Sequence, residues 1–140
     1  MTRSQEIENI IVGTLLNSFE TDDWYRDCAI CITADMFEDS RNAKIYSTIA
    51  AMHKVGLNMT TPLDVFKFGD EEIKSFTEYM CYLATAYHFL AKKVDYNERV
   101  RQARTINGKR YRYTEVKFSD YVAKFVQYAI GKKKAQNKAV

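Results

Sequence analysis

The residues best suited to contact a polyanion lie between Arg99 and Lys117. In this segment arginines and lysines alternate with tyrosines: Arg101, Arg104, Lys109, Arg110, Tyr111, Arg112 and Tyr113. Such cations neutralise phosphates, and aromatic rings stack on exposed bases. The same side chains also suit an acidic protein surface or a solvated basic face. The segment therefore predicts a contact with nucleic acid or with protein, and the solvated alternative stays open.

The motif of a nucleotide-driven motor is missing from these 140 residues. A phosphate-binding loop needs two glycines followed by Lys and Ser or Thr, so that backbone amides surround the phosphates. Gly108-Lys109 and Gly131-Lys132 lack both the upstream glycine and the hydroxyl residue. We therefore expect no ATP hydrolysis. His53 and His88, the only histidines, have no Ser, Cys or paired carboxylate at catalytic spacing, so we expect no enzymatic activity.

Cys28 and Cys31 have the C-x-x-C spacing of zinc sites and redox dithiols. A structural zinc site needs four ligands, and the other candidates stand apart in the sequence: Cys81, His53 and His88. A redox dithiol lies at the start of a helix after a strand, whereas these cysteines come late in a helical stretch. The pair is predicted to be two small core residues, and we expect no metal, no cofactor and no catalytic residue.

Charge is distributed unevenly along the chain, whose formal net charge is +3. Residues 1–70 carry six basic and eleven acidic side chains, a net −5, whereas residues 92–140 carry fourteen basic and four acidic ones, a net +10. This asymmetry again indicates a polyanion or an acidic protein as the partner of the C-terminal part.

The composition is that of one globular domain. Hydrophobic residues make up 46% and aromatic residues 14% of the chain, with five glycines and one proline. Collagen-like chains contain far more Gly and Pro, disordered chains contain fewer aromatic residues, and strand-rich sandwiches need a turn every few residues. No apolar run is as long as a membrane span, which needs about 18 residues. The N-terminus also lacks the apolar core of a signal peptide. We expect a mostly helical, cytoplasmic domain that does not enter a membrane.

Start and stop signals predict five helical pieces before residue 93. Four of the starts are capping residues, some reinforced by a partner or a proline: Thr2 with Gln5, Asp39, Thr61 with Pro62, and Asp70. The second piece begins at Thr21. Gly56 and Gly69 end the third and fourth pieces, and the fifth continues to about Lys93. The second piece is expected to run to Ile32. Along the first piece, the apolar stripe leaves Glu8 on the exposed side.

The pattern changes after residue 93. Asn107-Gly108 is typical of a two-residue hairpin turn. The fold class is therefore predicted to be all-α with a short basic β-hairpin, or a loose helix–loop connection, near 105–113. Ser119 then caps a last helix that runs to about Lys134. Residues 135–140 are expected to fray as a basic tail.

The order of the helical segments resembles the N-terminal domain of DnaB-type replicative DNA helicases. Residues 8–16 (ENIIVGTLL) are similar to the family's opening E-x-x-V-L-G-x-L-L, and residues 32–37 (ITADMF) to its L-x-P-E-D-F-Y. Residues 45–56 (IYSTIAAMHKVG) are similar to I-F-x-x-I-x-x-L-x-x-x-G. Shorter motifs of the family are matched by residues 60–65, 82–84 and 121–126. The resemblance covers about residues 5–131.

This resemblance implies an all-α domain at residues 1–134, in which a compact helical globule is followed by a helical hairpin. In the family the domain pairs through that hairpin, builds a collar that is a trimer of dimers, and docks primase. It carries no catalytic residues. By analogy, the dimer interface is predicted at Phe89, Val94, Tyr121, Phe125 and Tyr128. The chain departs from the family by an insertion at about 94–117.

The resemblance thus implies a non-catalytic oligomerisation and protein-interaction domain that acts in DNA replication, within a helicase or as a stand-alone homologue. A homo-oligomer, a primase or a helicase loader, and DNA are its expected partners. The alternative is a small basic nucleic-acid-binding protein that uses the segment Arg99–Lys117.

Overall fold

The computed structural model describes residues 1–17, 21–87 and 118–138. The helices are α1 (Arg3–Leu15), α2 (Thr21–Ala29), α3 (Ser40–Lys54), α4 (Pro62–Phe68), α5 (Glu71–Ser75), α6 (Thr77–Ala86) and α7 (Phe118–Lys138), with one turn of 3-10 helix at Ala34–Met36. None of the described residues lies in a β-strand, so the all-α prediction is confirmed for them. The β-hairpin predicted near 105–113 lies outside the described residues.

Four helices begin at the capping residues that the sequence predicts. At α1, the Gln5 N–H donates to Thr2 Oγ1 at 3.2 Å, and the Thr2 N–H donates to Gln5 Oε1 at 3.0 Å. The other capping side chains are Asp39 at α3, Thr61 with Asp64 at α4, and Asp70 at α5. Each cap satisfies N–H groups that have no partner inside the helix, which fixes where the helix begins.

Gly56 ends the α3 region in the left-handed conformation, with φ at 85°. The Gly56 N–H donates to the His53 carbonyl at 3.1 Å, and the Leu57 N–H donates to the Met52 carbonyl at 2.9 Å. These two bonds form a Schellman motif. Because residues with a Cβ rarely adopt this φ, the predicted role of Gly56 is confirmed.

The prediction of one helix from Asp70 to about Lys93 is wrong. The chain instead divides at Phe76 into α5 and α6. The hydroxyl groups of Ser75 and Thr77 donate to carbonyls three residues earlier and compete there with the helix N–H groups. The Phe76 N–H donates to the Ile73 carbonyl at 2.9 Å, also three residues earlier, which tightens the last turn of α5.

The ends of α2 and α7 also differ from the prediction. The helix α2 ends at Ala29 instead of Ile32, because the N–H groups of Cys31 and Ile32 both donate to the Cys28 carbonyl and close a turn. The helix α7 continues four residues beyond Lys134. Lys, Ala and Gln favour helix, so residues 135–138 are helical and do not form a frayed tail.

The core is built around α1, which packs on α2, α3, α6 and α7. Its buried stripe consists of Ile7, Ile11, Val12 and Leu15. The helix α6 approaches α1 at Gly13, where a Cβ atom would lie 2.5 Å from the Leu83 carbonyl oxygen. Asn17 bridges the same two helices, since its Nδ2 donates to the Gly13 carbonyl at 3.0 Å and to the Ala84 carbonyl at 2.7 Å. The glycine therefore permits the close contact on which the globule depends.

Candidate interaction surfaces

Most of the residues predicted to contact a partner lie outside the described residues: Phe89, Val94, Arg101, Arg104, Lys109, Arg110, Tyr111, Arg112 and Tyr113. Their roles stay predictions. The remaining three, Tyr121, Phe125 and Tyr128, lie on α7.

The structure places Phe125 in the core, although the analogy with the family assigned it to the dimer interface. The side chain is 4% exposed, and its ring centroid lies 4.8 Å from that of Phe37. Phe37 in turn packs against Tyr46 at 5.1 Å. Phe125 therefore stabilises the single chain, because α7 turns this face toward α1 and α2.

The outer face of α7 is the part that remains open to a partner. Tyr121 is half-buried, whereas Tyr128 and Ile130 are 40% and 48% exposed. Residues two apart on an α-helix point to nearly opposite sides, so Tyr128 and Ile130 do not share a face. Gly131 lies one turn from Tyr128 on the same side, and a Cβ there would meet no atom within 4 Å. Exposed apolar side chains beside small residues suit helix–helix packing.

The basic end of α7 is held against the acidic start of α3. Lys132 forms an ion pair with Glu38, and Lys133 Nζ lies 3.9 Å from Asp35 Oδ2. Surface ion pairs of this kind contribute at most about 1 kcal/mol each. They do show that the two oppositely charged parts of the sequence meet within one chain.

Glu8 is buried, although the sequence predicted an exposed position. It is 2% exposed, and its carboxylate accepts from the Glu38 N–H at 3.0 Å, the Asp39 N–H at 3.0 Å and Asn42 Nδ2 at 3.1 Å. Asn42 Oδ1 accepts from the Tyr79 hydroxyl at 2.6 Å. The carboxylate thus joins α1 to the start of α3, and desolvation by burial raises its pKa.

A polar cavity of about 450 Å3 lies beside this network. Its acidic lining is already used within the chain: Asp39 pairs with Arg41 at 2.9 Å, and Glu38 pairs with Lys132. The Arg41 guanidinium also lies 3.7 Å from the centre of the Tyr79 ring. Because each charge has a partner in the described part of the chain, this cavity is a structural junction.

The C-x-x-C pair is divided between core and surface. Cys28 is buried as predicted, and burial raises the pKa of its thiol, which makes it a poor nucleophile. Cys31 is exposed, so its prediction as a core residue is wrong; α2 ends before it and the following turn directs it outward. Among the described residues, no group of His, Cys, Asp or Glu could hold a metal ion.

An apolar groove follows the end of α3, and we call it the α3–α4 groove. It has a volume of about 530 Å3 and is lined chiefly by Met52, Leu57, Met59, Asp64, Lys67 and Phe68. Helical periodicity could not reveal it, because half of the lining belongs to the connection between the helices. The signal in the sequence was the alternation of Leu57 and Met59 with Asn58 and Thr60 between Gly56 and the cap at Thr61.

Comparison with known families gives a match over most of the chain. The family model described as the DnaB-like helicase N terminal domain matches residues 1–102, which contain α1 to α6. No curated protein and no solved structure gives a significant match to the chain. Of the helices described here, none is long and apolar enough to cross a bilayer.

Proposed function

The chain belongs to the DnaB-like helicase N-terminal domain family, and we propose that it is a non-catalytic self-association and protein-interaction domain acting in DNA replication. It serves either within a longer helicase or as a free-standing homologue, with the cytoplasm as its location. The observation that carries the proposal is the family match over residues 1–102 of 140. Primase and a helicase loader are the partners that this membership suggests.

The outer face of α7 supports self-association. Tyr128 is exposed on α7 one turn before Gly131, beside the face of the helix that packs in the core. Two such faces would bury each other's apolar side chains, and Gly131 would let the helices approach closely. A dimer, or a trimer of dimers as in the family, is the assembly expected.

Light scattering tests this assembly. The native chain is expected to be a dimer or larger at on the order of tens of micromolar, and Tyr128→Glu is expected to give a folded monomer. Tyr82→Glu is the matched control, because Tyr82 lies on α6 and is more exposed than Tyr128. A native chain that stays monomeric, or a Tyr128→Glu variant that still assembles, would contradict the proposal. ATP hydrolysis by the chain would contradict its non-catalytic part.

Nucleic-acid binding is the second candidate function, favoured by the net +10 of residues 92–140. Exposed lysines on α7 extend this charge into the described residues: Lys124, Lys133 and Lys134. Each phosphate contact makes binding weaken with salt, so filter binding to single- and double-stranded DNA at two salt concentrations tests it. Arg110→Glu with Arg112→Glu is expected to abolish binding. Binding that is absent, or insensitive to salt, excludes this function.

A further inference from the structure

One side of α4 is exposed and carries both charged and apolar side chains. Its members recur at three- and four-residue spacing and therefore share one side of the helix; we call them the α4 face: Leu63, Asp64, Lys67 and Phe68. Leu63 is 60% exposed and Phe68 is 41% exposed, whereas Val65, two positions after Leu63, is fully buried in the core. Because Val65 fixes α4 in the core, the α4 face is held on the outside of the folded chain.

The α4 face carries one acid and one base, and neither charge is neutralised within the described part of the chain. The Asp64 carboxylate accepts from the Thr61 N–H at 3.2 Å and from the Thr61 hydroxyl, which are both neutral donors. Lys67 forms no ion pair with any described residue. Both charges therefore remain available to a partner. Their sum is zero, so the α4 face offers little attraction to DNA or to an anionic membrane.

A second copy of α4 satisfies both charges at once. When two helices cross with their rows of i and i+3 residues antiparallel, a two-fold axis midway between Asp64 and Lys67 places Asp64 of each copy opposite Lys67 of the other. Leu63 and Phe68 flank this row, so apolar side chains lie on both sides of the two ion pairs. An unlike partner would need the same two charges in the reverse order, whereas a second copy provides that order by symmetry.

We propose that the α4 face is a second self-association surface, which pairs about a two-fold axis with the α4 face of another copy. This contact goes beyond the self-association proposed above, because it uses no residue of α7. Four side chains from each copy are far fewer than the roughly 20–30 residues of a standard interface. The contact alone is therefore weak, with a dissociation constant on the order of 1 mM. Two copies paired through α7 present two α4 faces, so further copies can join them.

NMR diffusion measurements at protein concentrations from about 0.05 to 1 mM test this contact. Every chain carries Tyr128→Glu, which removes the pairing through α7, and circular dichroism checks that each is folded. The Tyr128→Glu chain is expected to shift from monomer toward dimer over this range. Adding Lys67→Glu is expected to weaken association at least about fivefold, because two acids then face two acids. Lys54→Glu is the matched control, because Lys54 is an exposed lysine on α3; it should leave association unchanged.

A mixture of two charge variants tests the reciprocal pairing. Lys67→Glu leaves two acids on the α4 face and Asp64→Lys leaves two bases, so each alone should stay monomeric. Mixed, they are expected to associate at least as tightly as the Tyr128→Glu chain, because every acid then faces a base. Asp64→Lys keeps the backbone N–H that donates to Thr61 Oγ1 at 3.3 Å, so the cap of α4 remains. Only the Asp64→Lys chain is isotope-labelled. Mixed with Lys54→Glu, which has the same total charge as Lys67→Glu, it should stay largely monomeric.

Three outcomes overturn the proposal: a Tyr128→Glu chain that stays monomeric at about 1 mM, association that Lys67→Glu leaves unchanged, or a mixture of the two charge variants that stays monomeric. If the native chain still assembles in the first case, the proposed function stands and only the α4 face fails. Conversely, a native chain that is monomeric at tens of micromolar, with association near 1 mM that depends on Lys67, would contradict the pairing through α7 and support the α4 face.

Discussion

Glu8 organises the junction between α1 and α3 through a single carboxylate. It accepts from two consecutive backbone N–H groups, those of Glu38 and Asp39, just where α3 begins. These donors would otherwise be buried without a partner at the end of a helix, which is costly. The carboxylate therefore acts as a second cap, supplied by a residue thirty positions away in the sequence.

Replacing Glu8 with Gln is expected to lower the free energy of unfolding by about 1–3 kcal/mol. The amide keeps the shape of the side chain but presents an N–H2 group to one of the two N–H donors. Glu6→Gln is the matched control, because Glu6 lies on the surface with only an exposed pair to Arg3, and it should change stability by less than about 0.5 kcal/mol. Urea unfolding followed by circular dichroism measures both. Equal effects would contradict the capping role of Glu8.

The lowered pKa of Asp39 predicts how the stability of the chain depends on pH. Hydrogen bonds from Arg41 hold the pKa of Asp39 below its ordinary value of 3.8. A lowered pKa means that the stabilisation is present above pH 3.8 and is lost as the pH falls through the lower pKa of the folded chain. Asn caps a helix as well as Asp does, so Asp39→Asn should cost less than about 1 kcal/mol at neutral pH. This loss of stability in Asp39→Asn should disappear at acidic pH, where Asp39 of the native chain is also uncharged. Unfolding free energies at neutral and acidic pH measure it, and a cost independent of pH would contradict the pair with Arg41.

At the scale of elements, the contact between α1 and α6 depends on the absence of a side chain. The Leu83 carbonyl oxygen occupies the space that a Cβ at Gly13 would need. A backbone oxygen cannot rotate away as a side chain does, so the two helices would have to separate. Asn17 would then lose its hydrogen bonds to Gly13 and Ala84.

Gly13→Ala is therefore expected to destabilise the chain by about 1–3 kcal/mol. Gly131→Ala is the matched control on α7, where a Cβ meets no atom within 4 Å. In a chain dilute enough not to self-associate, it should stabilise the helix by up to about 1 kcal/mol, because Ala favours helix over Gly. Thermal unfolding of both variants at one protein concentration measures the difference. A Gly13→Ala variant as stable as the native chain would show that the helices can adjust.

At the scale of the whole molecule, α7 completes the globule formed by α1 to α6. Its inner face packs against α1 and α2, with Phe125 on Phe37. Its outer face exposes Tyr128 one turn before Gly131. One helix thus serves the core of the chain on one side and offers a surface for association on the other.

The two faces of α7 are expected to respond differently to protein concentration. Phe125→Ala should cost about 3–5 kcal/mol at any concentration, because it leaves a cavity in the core. Tyr128→Ala should have little effect on a dilute chain, and its effect should grow with concentration, because assembly stabilises the folded state by mass action. Urea unfolding over a range of concentrations measures both. A concentration-independent loss at Tyr128 would place it in the fold of the single chain.

The sequence by itself determined the local features of this protein. The caps at Thr2, Asp39, Thr61 and Asp70 and the turn at Gly56 depend on hydrogen bonds between residues at most five positions apart, so residue type and spacing suffice to predict them. The apolar periodicity and the motifs around residues 8–16 predicted the helical class and the family in the same way.

Only the tertiary structure decided which side of each helix is buried and by what. Glu8 is buried because Glu38, Asp39 and Asn42 come to it from the next part of the chain. Phe125 belongs to the core because Phe37 lies opposite it, and the α3–α4 groove stays open because no described element crosses it. Such burial arises from contacts between residues tens of positions apart, and a pattern that repeats every three or four residues carries no information about them.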